Sequence, residues 1–473
     1  MILPALTEAT APVFRPIKYA LFPPLGLAAL AGHLPDDWDV TIVDEHVMPA
    51  VPTDAPPEPR PDLVVIQVYI TNAHRSYELA DHFRRHGVRV LLGGLHVTSL
   101  PDEAAAHADV LFLGPGDATF PAFLDDLRHD TPKQRYDSRH FPRTLDAIPP
   151  ARRDLIDRRR YFVPNSIVVT RGCPHGCDFC YKNAFFAGGR EFYTERVDRA
   201  LAEIDRLPGR HLYFLDDHLL GHRRFARELF EGMRGMGRVF QGAATVDSVL
   251  RGDLIERAAD AGLRSLFVGF ETLSDANLSS TNKPHNLGRD YAAAVRRLDD
   301  LGVMVNGSFV FGLDDDTPDV FDRTVDWAAD AGLVTATFHV ATPYPGTKFF
   351  ERIEGEGRLL TRDWSRYDTR QAVFRPKGMT PRQLEDGYWR AYRRFYEWPM
   401  ILRAANRPGR SLKHKAKHVA YAGGWKRLEP MWNLAIRGRR VGWLRPALRG
   451  VLSRVGRREH AVRSSSQLPV LDA

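Results

Sequence analysis

Cysteine is almost absent from the 473 residues: there are three, Cys173, Cys177 and Cys180, all inside one eight-residue window. An odd, clustered set excludes the disulfide framework of a small secreted scaffold and suits a metal site in a reducing compartment. No run approaches the ~18 uninterrupted apolar residues of a membrane span. Residues 1–34 lack the basic start, apolar centre and small-residue cleavage site of a secretory signal, so a cytoplasmic location is expected. There is no repeat beyond alternating strand and helix patterns, and no low-complexity tract except Ser464 to Ser466. Acidic residues are scarce at one end only. From Ile401 onward there are 17 Lys and Arg against 3 Asp and Glu, and upstream 49 against 56, so the net +7 combines −7 for the body with +14 for the end. A nucleic-acid binder is thereby disfavoured, since the body is acidic and no compact recognition motif accompanies the basic end.

What is present is an ordinary globular composition, 44% hydrophobic and 26% charged, long enough for about three domains at roughly 150 residues each. Strands are expected at residues 40–43, 63–68, 88–92 and 110–113, with 1–6 a further possibility, and helices at 25–33, 73–85, 104–108 and 120–127. Right-handed crossovers then make residues 1–128 a doubly wound parallel α/β sheet. Residues 129–164, rich in Pro and Arg, are expected to be a linker. Six more strands at 166–170, 212–215, 240–244, 265–269, 305–311 and 335–340 predict a partial (β/α)6 barrel over residues 165–347, with its chemistry at the carboxyl ends of the strands. A helical extension, 348–403, and a basic tail, 404–473, complete the expected order.

The first barrel strand runs into Arg171-Gly172-Cys173-Pro174-His175-Gly176-Cys177-Asp178-Phe179-Cys180-Tyr181, spaced C-x3-C-x2-C. One loop of this kind can wrap a cubane cluster, three thiolates binding three irons, and leave the fourth iron open to a substrate or cofactor. A Cys3His zinc site using His175 is disfavoured because His175 lies between two of the cysteines on the same loop.

On these residues the chain resembles the radical S-adenosylmethionine (radical SAM) superfamily, whose signature is C-x3-C-x-aromatic-C, with Phe179 as the aromatic. The resemblance covers roughly residues 167–347. It implies metal ligands Cys173, Cys177 and Cys180, a [4Fe-4S] cluster chelating SAM, and reductive cleavage to methionine and a 5′-deoxyadenosyl radical that abstracts hydrogen from an unactivated carbon. It also implies SAM contacts. Asp216-Asp217 stands where the superfamily usually has Gly-Gly-Glu for the SAM amino group, although one aspartate is expected to cap the helix near Arg223. Gly269-Phe270-Glu271 resembles the Gly-x-Glu element, with an ordinary surface ion pair as the competing role for Glu271. The segment from Ser308 to Gly312 resembles the element that packs on adenine, with Ser308 in place of a glycine. Asp314-Asp315-Asp316 is expected to be a solvated turn and helix start.

Pro23-Pro24-Leu25-Gly26, Asp44, Gly93-Gly94-Leu95-His96 and Gly114-Pro115-Gly116-Asp117 resemble the cobalamin-binding (B12-binding) domain that precedes many such cores. Gly93, Gly94, His96, Gly114, Gly116 and Asp117 are the implied cobalamin contacts. The cobalt-ligating Asp-x-His-x-x-Gly is missing: Asp44-Glu45-His46 is followed by Pro49 where glycine belongs. Thr342 to Thr347 and Gly378 to Pro381 also resemble elements of this subfamily. Tyr388, Trp389, Tyr392, Phe395, Tyr396 and Trp398 recur at near-helical spacing, as a core-facing stripe would. Trp425, Trp432 and Trp443 among Arg437, Arg439, Arg440, Arg445 and Arg449 form a cationic segment open to membrane-surface contact, to docking of an acidic reductase, or to solvent.

The function expected is cobalamin-dependent methyl transfer to a small natural product or lipid, with a reductase, flavodoxin or ferredoxin as electron donor. The alternative is a cobalamin-independent radical dehydration or rearrangement, for example of an amino sugar, with an empty first domain. A non-enzymatic iron–sulfur carrier or redox sensor fits an open fourth iron poorly.

Overall fold

The computed structural model describes residues 1–9, 20–145, 148–188 and 191–427, together with 436, 438, 441–447 and 450. Trp432, Arg437, Arg439, Arg440, Arg449, Ser464 to Ser466 and the Trp425 side chain lie outside the described residues.

Six strands form the first sheet: β1 (Ile2–Leu3), β2 (Val43–Asp44), β3 (Leu63–Gln67), β4 (Arg89–Gly93), β5 (Val110–Leu113) and β6 (Arg135–Asp137). Their order is β2-β1-β3-β4-β5-β6 and every pairing is parallel. Both faces are covered, which is why the strands are near-continuous apolar runs rather than alternating ones. Val64, Ile66, Val90 and Leu92 pack on one face with Tyr77 and Phe83, and Val65, Leu91 and Phe112 on the other with Phe120 and Phe123. The segment expected to be a linker is woven into the fold. It supplies β6, and Tyr161, Phe162 and Val163 are buried against Leu3, Ala20 and Leu27. The helix expected at 104–108 is instead Pro101–Ala105, preceded by Leu95–Ser99; Pro101, which has no N–H to lose, starts the later one.

The second sheet is sequential: β7 (Ser166–Ile167), then β10 (His211–Phe214), β11 (Val239–Thr245), β12 (Leu263–Glu271), β13 (Met304–Phe311) and β14 (Thr335–Val340), all parallel, with helices outside. This is the expected partial barrel. Between β7 and β10 the chain leaves the sheet and forms a hairpin, β8 (Thr170–Gly172) against β9 (Phe192–Thr194), which serves as the stem of the cysteine loop. Gly172 is required there: its φ is +73°, and a Cβ would collide with the Glu191 carbonyl.

The last strand has a free edge, and the helix Pro381–Phe395 covers it. That helix begins with a capping box, Thr380 Oγ1 accepting from Gln383 N at 3.2 Å and Gln383 Oε1 accepting from Thr380 N at 2.8 Å. Tyr388 and Phe395 on the helix and Tyr396 just beyond it are buried as a core stripe, and two hydroxyls serve the strand edge. Tyr392 Oη accepts from Phe338 N at 3.2 Å, while Tyr396 Oη accepts from Ala336 N at 3.1 Å and donates to Ala336 O at 2.9 Å. Trp389 and Trp398 depart from the stripe and remain exposed. Trp364, Tyr367 and Val373 of the extension pack on the first sheet, so this region bridges both domains.

Tyr396→Phe leaves the buried Ala336 amide and carbonyl without that partner, which should cost about 1–3 kcal/mol. The measurement is the chemical-denaturation midpoint against the unaltered protein. An unchanged midpoint would show that water serves the edge equally well.

Candidate active site

The cysteine loop is braced from both sides. From within, the Lys182 ammonium, buried, donates to the Cys173 carbonyl at 3.2 Å and also to that of His175, and Asn183 Nδ2 donates to the Cys177 carbonyl at 2.9 Å. From the segment after β12, Asn282 Nδ2 donates to Gly176 O at 2.8 Å, and Thr281 O accepts from Asp178 N at 3.0 Å. Cys173 and Cys177 are buried and Cys180 is partly exposed. Burial pushes the Cys173 thiol up to about 11 and Cys180 to about 12, so thiolate formation there calls for a cationic partner, which iron provides. The His175 ring lies flat on His285 (centroids 3.7 Å, 17°) with His218 at 5.5 Å, an imidazole stack rather than a fourth ligand. Among the described residues no group of three His, Cys, Asp or Glu is spaced to hold a single metal ion. A cubane, by contrast, spreads its thiolates over separate irons.

The residues expected to contact SAM gather at the carboxyl ends of the barrel strands around this loop. Asp216, after β10, is buried. One of its oxygens accepts from Val169 N at 3.1 Å, from Thr170 Oγ1 at 2.6 Å and from Thr170 N; the other is buried without a partner. Burial pushes its pKa up to about 7 despite those donors. Asp217 is exposed and accepts from the Tyr181 hydroxyl at 3.2 Å. Neither aspartate caps the following helix: His222 Nδ1 accepts from Phe225 N at 3.1 Å instead. An acceptor that the chain leaves orphaned fits an ammonium group, as the SAM amino group would supply.

Glu271, at the end of β12, sits at φ +65°, where a non-glycine residue is strained, and pairs with the buried Lys283 at 2.9 Å. A Cβ on Gly269 would strike the Glu271 carboxylate, so this pair is built into the site and is not a surface contact. Ser308 is buried on β13 beside Gly269 in register. Gly312 (φ +91°) donates its N–H to Asp316 at 2.9 Å, and Phe179 packs nearby with Leu313, Ala341 and Phe349. Of Asp314 to Asp316, which form the expected turn, only Asp315 is exposed. Asp316 is buried and also accepts from Leu313 N and Asn277 Nδ2, and Asp314 takes Arg352, Arg358 and Lys377.

The carboxyl edge of the first sheet faces this loop. Asp117, expected to touch cobalamin, accepts from Arg171 at 3.0 Å and from the Tyr193 hydroxyl at 3.3 Å, joining the first domain to the residue two before Cys173. His96 is buried, with Nε2 2.9 Å from Glu103, Nδ1 without a hydrogen-bond partner and its ring beside Tyr77 and Trp364. Both nitrogens of His46 are engaged, by Asp44 at 2.8 Å and by Leu6 N at 3.2 Å. Gly94 (φ +121°) and Gly114 are pressed against the chain itself: a Cβ would meet Val68 O at 2.7 Å in the first case, and Ser138 and Phe185 in the second. Gly93 and Gly116 are less crowded, with contacts at 3.3 Å to Phe112 and 3.2 Å to Leu30. The open side of this edge is elsewhere. Gly26 is exposed, its missing Cβ facing only the Gln67 amide at 3.7 Å, and Gln67 donates to the Tyr69 hydroxyl at 3.0 Å. Tyr69 and Tyr181 remain 39% and 38% exposed, Tyr69 where the strand order reverses between β1 and β3, Tyr181 next to Cys180. A ligand laid on the edge at a switch point fits this geometry. Tyr69, Tyr181, Arg171, Lys182 and Lys283 were not singled out by the sequence; the only signal was the position of Arg171, Tyr181 and Lys182 beside the cysteines.

The family described as the radical SAM superfamily matches residues 167–328, and the B12 binding domain matches residues 19–124. The bacteriochlorophyllide d C-12(1)-methyltransferase of Chlorobaculum tepidum is 28% identical over 80% of this chain and 84% of its own length. The hopanoid C-2 methylase of Rhodopseudomonas palustris is 27% identical over 89% and 81%. Among solved structures, the radical SAM methyltransferase TsrM of Kitasatospora setae, with cobalamin and a [4Fe-4S] cluster bound, shares the fold with a TM-score of 0.61 at 15% identity, covering 93% of this chain and 98% of TsrM.

The raised pKa of Asp216 has a sign that can be tested. The folded protein binds this proton more tightly than the unfolded chain, so stability falls as pH rises from its ordinary value of 3.8 to about 7. The loss is on the order of 4 kcal/mol when complete. Denaturation midpoints across that range should decline for the unaltered protein relative to Asp216→Asn. Parallel pH profiles would mean that Asp216 is ionised throughout.

Proposed function

We propose that this chain, which belongs to the radical SAM superfamily and carries a B12-binding domain ahead of its barrel, transfers a methyl group to an unactivated carbon of a small natural product or lipid. The observation that carries this reading is the facing arrangement: Asp117 and Arg171 hold the cysteine loop against the carboxyl edge of the first sheet, with Tyr69 and Tyr181 at the edges that meet. The named methyltransferases that align across both domains favour it over dehydration or rearrangement with an empty first domain.

When bound, a [4Fe-4S] cluster supplies the one electron that splits SAM into methionine and a 5′-deoxyadenosyl radical, and cobalamin carries the methyl group. Cys173, Cys177 and Cys180 hold three irons and leave the fourth open. Asp216 and Asp217 receive the SAM ammonium group, and Gly269, Glu271, Ser308 and Gly312 line the rest of its pocket with Phe179 behind the loop. Gly93, Gly94, Gly114 and Gly116 set the shape of the cobalamin edge by close packing. The first domain also covers the barrel mouth, which keeps water from the radical. The chemistry needs a one-electron donor, assigned here to a reductase, flavodoxin or ferredoxin of the reducing cytoplasm, and peripheral membrane contact through the basic end would suit a lipid substrate.

Anaerobic reconstitution with iron, sulfide, SAM, reductant and cobalamin, with a hopanoid or a bacteriochlorophyllide as trial substrate, tests this. Expected are cobalamin retained through desalting, 5′-deoxyadenosine and a product heavier by one methylene; Cys177→Ala should assemble no full cluster and cleave no SAM. Turnover with 5′-deoxyadenosine but without bound cobalamin would overturn methyl transfer. Because both nitrogens of His46 are engaged within the first domain, the paramagnetic resonance spectrum of reduced, protein-bound cobalamin should lack nitrogen splitting from that histidine. Splitting that disappears in His46→Ala would show that His46 is released to cobalt.

A further inference from the structure

We infer that the helices Trp398–Ala405 and Leu412–Arg427 together form a docking surface for an anionic lipid bilayer. The first helix buries Met400, Ile401, Ala404 and Ala405 against the body of the protein. On its other side, one turn apart, Trp398 and Leu402 stay 45% and 53% exposed. The second helix starts with Leu412, 84% exposed, and repeats exposed small apolar residues at Ala416 and Ala420, each four positions on. The helices run antiparallel side by side: Lys415 donates to Asn406 Oδ1 at 2.6 Å near one end, and a Cβ on Gly423 would lie 3.0 Å from the Trp398 ring near the other. The exposed apolar groups of both helices therefore border one surface.

Charge identifies the partner. Residues 401–427 contain 8 Lys and Arg and no Asp or Glu. Arg403 and Arg410 turn inward, to Asp326 and Asp330 and to Asp299, which anchors the pair firmly. Lys413 is exposed beside Leu412. Cations alone would suit any polyanion. Large apolar side chains held in water among cations suit the boundary of a bilayer, where phosphates meet the lysines and acyl chains accept Leu and Trp. Arg410 also donates to Gly332 O at 2.9 Å, ahead of β14, so the surface stands at the amino-terminal end of the barrel and leaves the cysteine loop free. The inference rests on this surface alone and not on the reaction proposed above.

The test is flotation of the full reconstituted chain with vesicles of equimolar phosphatidylglycerol and phosphatidylcholine, and with phosphatidylcholine alone. Binding is expected to the anionic vesicles only and to weaken with salt. Leu402→Asp with Leu412→Asp should weaken it at least about tenfold. Lys413→Glu should weaken it about tenfold. Iron content and circular dichroism should be unchanged in all variants, since these side chains are exposed. The proposal is overturned if the leucine variant floats like the unaltered chain, which would place the contact beyond residue 427. It also falls if no vesicle is bound and the leucine changes alter only the oligomeric state or the affinity for an acidic electron donor.

Discussion

The contact on which the site depends is the Arg171 guanidinium held by Asp117 across the domain boundary. Arg171 lies in the hairpin stem directly before Gly172 and Cys173, so whatever fixes its position fixes where the cysteine loop begins. The Tyr193 hydroxyl, on the opposite strand of the same stem, reaches the same carboxylate. Both strands of the stem are thus tied to the first domain, and a partly buried pair with a second hydrogen bond is the kind of ion pair whose removal is costly. The loop and the sheet edge share one frame.

That frame carries a dense set of buried charges. Lys182, Lys283 and Asp216 are all nearly or fully withdrawn from solvent, Glu271 is held in a strained backbone conformation, and one oxygen of Asp216 has no partner within the chain. Such groups reduce stability unless something answers them, and they concentrate where ligands bind. Around the cysteine loop, Lys182 and the carbonyls it joins set the path of the backbone, and Glu271 with Lys283 closes the side next to β12 and β13.

Much of this could be read in the sequence because it follows from local rules. The three cysteines fall in one window and their loop follows a strand, so proposing them as metal ligands needed no long-range information. β14 and the helix Ala73–Arg85 occur with the expected bounds, since apolar periodicity over such lengths leaves little choice. Short strands within the Pro- and Arg-rich segment were not legible: β6 is three residues long and owes its existence to the open edge of β5. The protein partners of Asp117 and His96 were hidden in the sequence for a related reason. A carboxylate or imidazole at a glycine-rich turn looks the same in sequence whatever it faces, and here the two meet an arginine from the other domain and a partly exposed glutamate. Gly94 and Gly114 likewise signal a close approach, and only the fold reveals that the approaching group is the protein's own chain.

In the proposed site, Cys173, Cys177 and Cys180 would leave one iron of a cubane open beside Asp216 and Asp217. Electron paramagnetic resonance of the reduced, reconstituted protein, recorded with and without SAM, reports on that open iron. Expected is a four-iron signal whose g-values shift when SAM is added, as binding of SAM at the open iron would cause, and no such shift in Asp216→Ala at the same SAM concentration. A four-iron signal that saturating SAM leaves unchanged in the unaltered protein would contradict this proposal.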